Sequence, residues 1–146
     1  MGRVPDDVLR FMRLIWAVDH ELERLSKRME RHIGITIPQR MCLLLIAQQP
    51  GIHPSDLAAV LYLHRGTLTG ILRRLERGGL ITRTLDEHDG RRAALRVTAR
   101  GAALIRRRTG TFEDAVRRVI AGSPARERLA ASRVLDTLRD SLQVTR

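Results

Sequence analysis

The stretch from Pro54 to Thr98 constrains this chain most, because it packs two short helices and a β-hairpin into one uninterrupted run. Ser55-Asp56-Leu57-Ala58-Ala59-Val60-Leu61 has the apolar spacing of a short buried helix. Tyr62-Leu63-His64 breaks it, and Arg65 to Leu75 starts another. In this second helix Leu68, Ile71, Leu72 and Leu75 recur at the three- and four-residue spacing of a single face. The opposite face carries Arg65, Thr67, Thr69, Arg73 and Arg74, with no acidic residue before Glu76. Such a helix, apolar behind and lined with guanidinium and hydroxyl groups in front, suits the major groove of double-stranded DNA. There Arg reads guanine, and Thr touches thymine methyls or phosphates. Gly78-Gly79 then ends the helix as a C-terminal glycine does.

A hairpin follows directly. Leu80 to Leu85 and Ala93 to Thr98 are β-prone runs on either side of Asp86-Glu87-His88-Asp89-Gly90-Arg91-Arg92. The Asp89-Gly90 pair predicts a tight turn, with Arg91 and Arg92 projecting from the tip. Two helices followed by a basic hairpin make a winged helix-turn-helix, so the fold class is mainly α with a small β-wing (α+β).

Several segments in register carry a more specific signal. Leu57-Ala58, Leu75-Glu76-Arg77-Gly78-Gly79-Leu80-Ile81-Thr82-Arg83, Asp86 to Arg92, and Val97-Thr98-Ala99-Arg100-Gly101 together resemble the MarR family. These are dimeric bacterial transcription regulators named for multiple antibiotic resistance. The resemblance implies a homodimer, most simply a repressor, on a pseudo-palindromic operator. It also implies that the wing arginine, matched by Arg91, enters the minor groove, with Asp89 holding it by an ion pair. Arg92 and Arg83 are then expected at phosphates. Two departures stand out: Gly70 replaces a long polar side chain, and His64 occupies the N-cap slot usually held by Asp or Ser. Relatives bind aromatic effectors between the dimerisation helices and the winged helix. Phe11, Met12, Trp16, Met41 and Phe112 are the candidate lining here, although aromatic and Met residues at helical spacing also read as plain core.

The flanks suit this organisation. Val8, Met12, Ile15, Val18, Leu22, Leu25 and Met29 form a long stripe on a first helix, widened by Phe11, Leu14 and Trp16. That is more apolar face than one small domain can bury. Thr36-Ile37-Pro38-Gln39 predicts a capping box opening a central helix through Met41 to Ala47. Ile52 is placed to add a short strand to the hairpin. Thr98 caps a helix running toward Phe112, Val116 and Val119, with a kink at Gly110, and Ser123-Pro124 opens a last one. Residues 5–31 and 111–142 are thus assigned to a helical dimerisation region and 36–104 to the DNA-binding domain.

Charge agrees with a polyanionic partner: the net charge is +11 and the pI about 11.6. Lys27 is the sole lysine against 26 arginines, a bias that explains the choice of Arg over Lys but not the excess over acids. No run of apolar residues is long enough to span a membrane, and Met1 to Asp7 is too polar for a signal peptide, so a cytoplasmic protein is expected. The lone Cys42 lies in an apolar run and reads as inert core, although some relatives sense oxidants through a cysteine. His20, Glu23, Glu30 and His32 invite a metal reading, but His20-Glu21-Leu22-Glu23-Arg24 has Arg24 where a zinc helix needs its second His. No metal, cofactor or enzyme chemistry is expected, since no nucleophile, carboxylate pair or phosphate loop converges. The alternatives to a regulator are an architectural DNA-binding protein without sequence preference, and a winged helix used for protein contacts.

Overall fold

The computed structural model describes residues 4–143; the start of the segment judged against a signal peptide lies outside them. The element order is α1 (Asp6–Ile33), α2 (Ile37–Gln48), α3 (Pro54–Val60), α4 (Arg65–Arg77), β1 (Ile81–Leu85), β2 (Ala93–Val97), α5 (Ala99–Arg106), α6 (Phe112–Gly122) and α7 (Ala125–Gln143). The chain forms two compact units, one up to Thr111 and the other from Phe112 onward. The expected class, mainly helical with a two-stranded wing, is the class observed.

In the first unit α2 is the hub, packed against α1, α3, α4, α5 and β2. Its start is the predicted capping box. The Thr36 hydroxyl accepts from the Gln39 amide, and the Gln39 side chain accepts from the Thr36 amide at 2.8 Å. Cys42, Leu43 and Ile46 are fully buried, meeting a core that includes Leu57, Leu68, Leu72, Leu75 and Leu95. Only the C-terminal end of α1 joins that core, through Met29 and Ile33; Val8, Met12, Ile15 and Val18 are exposed on the single subunit.

Both helices of the helix-turn-helix end in left-handed residues. Gly79 (φ 66°) closes α4, with its N–H bonded to Glu76 and that of Leu80 to the Leu75 carbonyl. Tyr62 (φ 55°) does the same for α3, a place where glycine is usual and a β-carbon is strained. The strands pair antiparallel from Ile81↔Val97 to Leu85↔Ala93. Ile52 does not form a third strand, but Gly51 N–H donates to Leu95 O and Leu95 N–H to Ile52 O, tying this segment to β2.

A further expectation is corrected. The helix opened by Thr98 does not kink at Gly110 but stops at Arg106, and Gly110, at φ 76°, lies in the break before α6. The stop has a physical cause in Arg40, which is only 1% exposed. Its guanidinium donates to the carbonyls of Leu104 (3.1 Å), Ile105 (3.0 Å) and Arg107 (2.9 Å), the end carbonyls that a continuing helix would use itself. At the hairpin tip Asp89-Gly90 forms the expected tight turn, with the Arg92 amide donating to Asp89 O at 3.0 Å, inside a connection that runs from Asp86 to Arg92.

The second unit comprises α6 and α7. Each is amphipathic, and Val116, Val119, Ile120, Leu129, Leu135 and Leu142 are exposed. Arg128 donates to the Ile120 and Ser123 carbonyls, joining the two helices at their corner.

Candidate nucleic-acid interface

Helix α4 buries Leu68, Ile71, Leu72 and Leu75, and this alone turns the other face outward. Arg65, Thr67, Thr69, Arg73 and Arg74 are all exposed, and the three arginines make no ion pair among the described residues. Thr69 donates its hydroxyl to the Arg65 carbonyl at 2.8 Å, leaving its methyl and an oxygen lone pair for a partner. His64 stands at the N-cap and makes no side-chain cap bond, so the first-turn amides remain open. A concavity lined by Pro54, Ser55, Arg65, Leu68 and Thr69 separates the starts of α3 and α4. Around Gly70 the surface is open, with nothing within 4 Å of where a β-carbon would stand.

The wing loop is organised by carboxylates acting on backbone. Asp86 Oδ1 accepts from the amides of His88 (2.7 Å) and Asp89 (3.1 Å), while the Asp86 amide donates to Arg92 O (2.8 Å). Asp89 Oδ1 in turn accepts from the Arg91 amide at 3.1 Å. The expected Asp89–Arg91 ion pair is therefore replaced by a side-chain-to-backbone bond. A short carboxylate reaches an amide two residues on more readily than it holds a long guanidinium. The Arg91 side chain is exposed and makes no ion pair among the described residues.

Arg83 and Arg92, expected at phosphates, already have protein partners. Arg83 Nε lies 3.0 Å from Glu76 Oε1, bracing β1 on α4. Arg92 Nη2 lies 3.3 Å from Ser55 Oγ and 3.5 Å from Asp56 Oδ2, bracing the loop on α3. Sequence reasoning also missed His53. Its ring sits between α3 and the wing, with Nδ1 2.7 Å from Ala93 O and Nε2 3.1 Å from Asp86 Oδ2. The only sequence signal was a histidine where a cap residue belongs.

The remaining candidates are dispersed. Phe11, Met12 and Trp16 are exposed on α1, Trp16 at 69%; Met41 is half-buried on α2, and Phe112 opens the second unit. His20 turns back on its own helix, with Nδ1 3.1 Å from Trp16 O and its ring 5.0 Å from the indole. Burial pushes the Cys42 thiol up to about 12, which keeps it protonated and unreactive at neutral pH.

Residues 35–93 match the family model described as "MarR family". An HTH-type transcriptional repressor of Mycobacterium tuberculosis is 31% identical over 106 residues, covering 73% of this chain and 76% of that protein. The chain belongs to the MarR family. The organic hydroperoxide resistance transcriptional regulator of Bacillus subtilis is 36% identical over 91 residues. That match covers 62% of this chain and 62% of the relative's length, less than two thirds of it. Among solved structures, the S. aureus MepR–DNA complex superposes with a TM-score of 0.72 at 27% identity, over 90% of this chain and 97% of that one. MarR proteins are winged-helix transcription regulators that bind DNA, not enzymes, and α4 with the adjoining wing is where this chain carries that architecture.

Proposed function

We propose that this protein is a transcriptional repressor that binds a pseudo-palindromic operator as a homodimer, with α4 in the major groove and Arg91 in the flanking minor groove. The observation that carries this reading is the front of α4. Arg65, Thr67, Thr69, Arg73 and Arg74 are exposed on a helix whose other face is locked in the core, beside a wing whose tip arginine makes no ion pair among the described residues. Arg83 and Arg92 act in this reading as braces that set the wing against α4 and α3.

The homodimer is supported by Val8, Phe11, Met12, Ile15, Trp16 and Val18 on α1, and by Val119, Leu129, Leu135 and Leu142 on α6 and α7, all exposed in the single chain. An apolar area of this kind is covered in stable proteins, and a second copy of the same helices is the self-complementary cover. Two-fold symmetry then calls for half-sites about 10 base pairs apart, one major groove for each α4.

Fragments selected from random genomic DNA provide the test, combined with footprinting and sedimentation. The reading expects discrete protection over an inverted repeat by a dimer. Uniform coating of any duplex would identify an architectural protein instead. A folded monomer stable at micromolar concentration would remove the symmetry argument.

A further inference from the structure

The wing is held from beneath by a side chain outside the motifs that define the family resemblance. His53 occupies the N-cap slot of α3 but makes no cap bond. Both of its ring nitrogens turn instead to the wing, Nδ1 to the Ala93 carbonyl at the start of β2 (2.7 Å) and Nε2 to the Asp86 carboxylate just past β1 (3.1 Å). Carbonyl and carboxylate oxygens only accept. Each nitrogen must therefore carry a proton for both contacts to be hydrogen bonds, and only imidazolium has both. A neutral ring satisfies one contact and sets a lone pair against an oxygen at the other.

Asp86 is suited to its side of the bond. The amides of His88 and then Asp89 hold its carboxyl below the usual carboxylate range, and the charge of His53 adds to this. The two side chains are only 17% and 19% exposed. The other charged groups on the surrounding elements are Glu87, His88, Asp89, Arg91 and Arg92 in the loop, Asp56 on α3, Arg83 on β1 and Arg96 on β2. Asp86 also starts the chain of bonds that ends at the Arg91 amide, through His88, Asp89 and the Asp89 carboxylate.

We propose that His53 is a positioning residue for the wing and makes DNA binding pH-sensitive: as imidazolium it clamps Asp86, and through Asp86 the loop that presents Arg91. The proposal rests on the reading of Arg91 as a DNA contact. The sign follows from the geometry. The clamp needs a proton on both ring nitrogens, so it is favoured at the lower pH and weakened as pH rises.

The test uses the full chain and a duplex recovered from random genomic fragments by selection with the wild-type protein. Affinity and the exchange of the His88 and Asp89 amides, corrected for intrinsic rates, are measured at about pH 6 and about pH 8. In the wild type, raising the pH should loosen both amides and weaken binding about five-fold, the worth of roughly one hydrogen bond. His53→Gln should be weaker at the lower pH and should lose this extra pH dependence. Asp86→Asn should reverse the sign. Its Oδ1 still accepts from both loop amides, while its Nδ2 can donate only to a neutral His53 Nε2, so the wing tightens as pH rises. A purely structural role for either residue does not produce that reversal. Equal pH dependence in wild type and His53→Gln would overturn the proposal, as would Asp86→Asn behaving like wild type. If the amides respond as expected while affinity does not, the coupling to DNA is overturned, and the failure lies with the reading of Arg91.

Discussion

Two exposed arginines separate the roles of the two DNA-facing elements. Arg91 sits on a loop whose backbone is fixed, and its guanidinium makes no ion pair among the described residues, so its contribution should depend on the groove it enters. Narrow A·T minor grooves concentrate negative potential. Arg91→Ala should therefore weaken binding most where the operator flanks are A·T-rich, and replacing those flanks with G·C should mimic the substitution. Doing both should cost little more than either alone, because one interaction is removed twice; independent addition would detach Arg91 from the flanks. Arg73, on the front of α4, should show no such coupling. If it reads guanine, Arg73→Ala loses about 1–3 kcal/mol at one base pair and relaxes preference there. An even loss across sequences would make it a phosphate contact. Arg83 and Arg92 have partners that residue type alone does not reveal: each sits in a basic stretch, and acids on α4 and α3 hold them to the protein.

At the scale of elements, the close approach of α5 to the hairpin is the sharpest constraint. A β-carbon on Gly101 would stand 2.2 Å from the Leu80 carbonyl oxygen and 2.7 Å from Val97 Cγ1. Helix propensity alone would make Gly101→Ala stabilising by about 1 kcal/mol. The clash, being partly with backbone, should reverse the sign and destabilise by about 1–3 kcal/mol in urea unfolding. A gain in stability would show that α5 moves away freely. This glycine was readable beforehand as part of the Val97-Thr98-Ala99-Arg100-Gly101 pattern, as were the Thr36–Gln39 box, the apolar back of α4 and the Gly78-Gly79 stop. All of these are local signals, where cause and effect lie within a few residues. His53 and Arg40 were not readable, because their partners lie 33 to 40 and 64 to 67 residues further along the chain. The Asp89-Gly90 turn was legible as well, since its closing bond from the Arg92 amide to Asp89 O spans three residues.

For the whole molecule, charge decides how DNA is approached. Between Arg65 and Arg100 nine arginines stand against four acids, and Arg83 is locally neutralised by Glu76 and Arg92 by Asp56. Arg65, Arg73, Arg74, Arg77, Arg91, Arg96 and Arg100 remain without ion pairs among the described residues, and a dimer would double them. If even half of these release counterions from phosphates, affinity should fall by orders of magnitude between about 50 and 200 mM salt. A flat log–log plot would mean that they face elsewhere. What happens after the encounter depends on the wing's mounting. A loop that folded on contact would surrender about 1–2 kcal/mol of backbone entropy for each residue it ordered. Here Asp86, Asp89 and Arg92 have already spent that entropy in the free protein. Little is left to lose beyond the rotamer freedom of Arg91 itself, about 2 kcal/mol at most, so capture needs no slow folding step and can proceed at the rate at which a side chain swings.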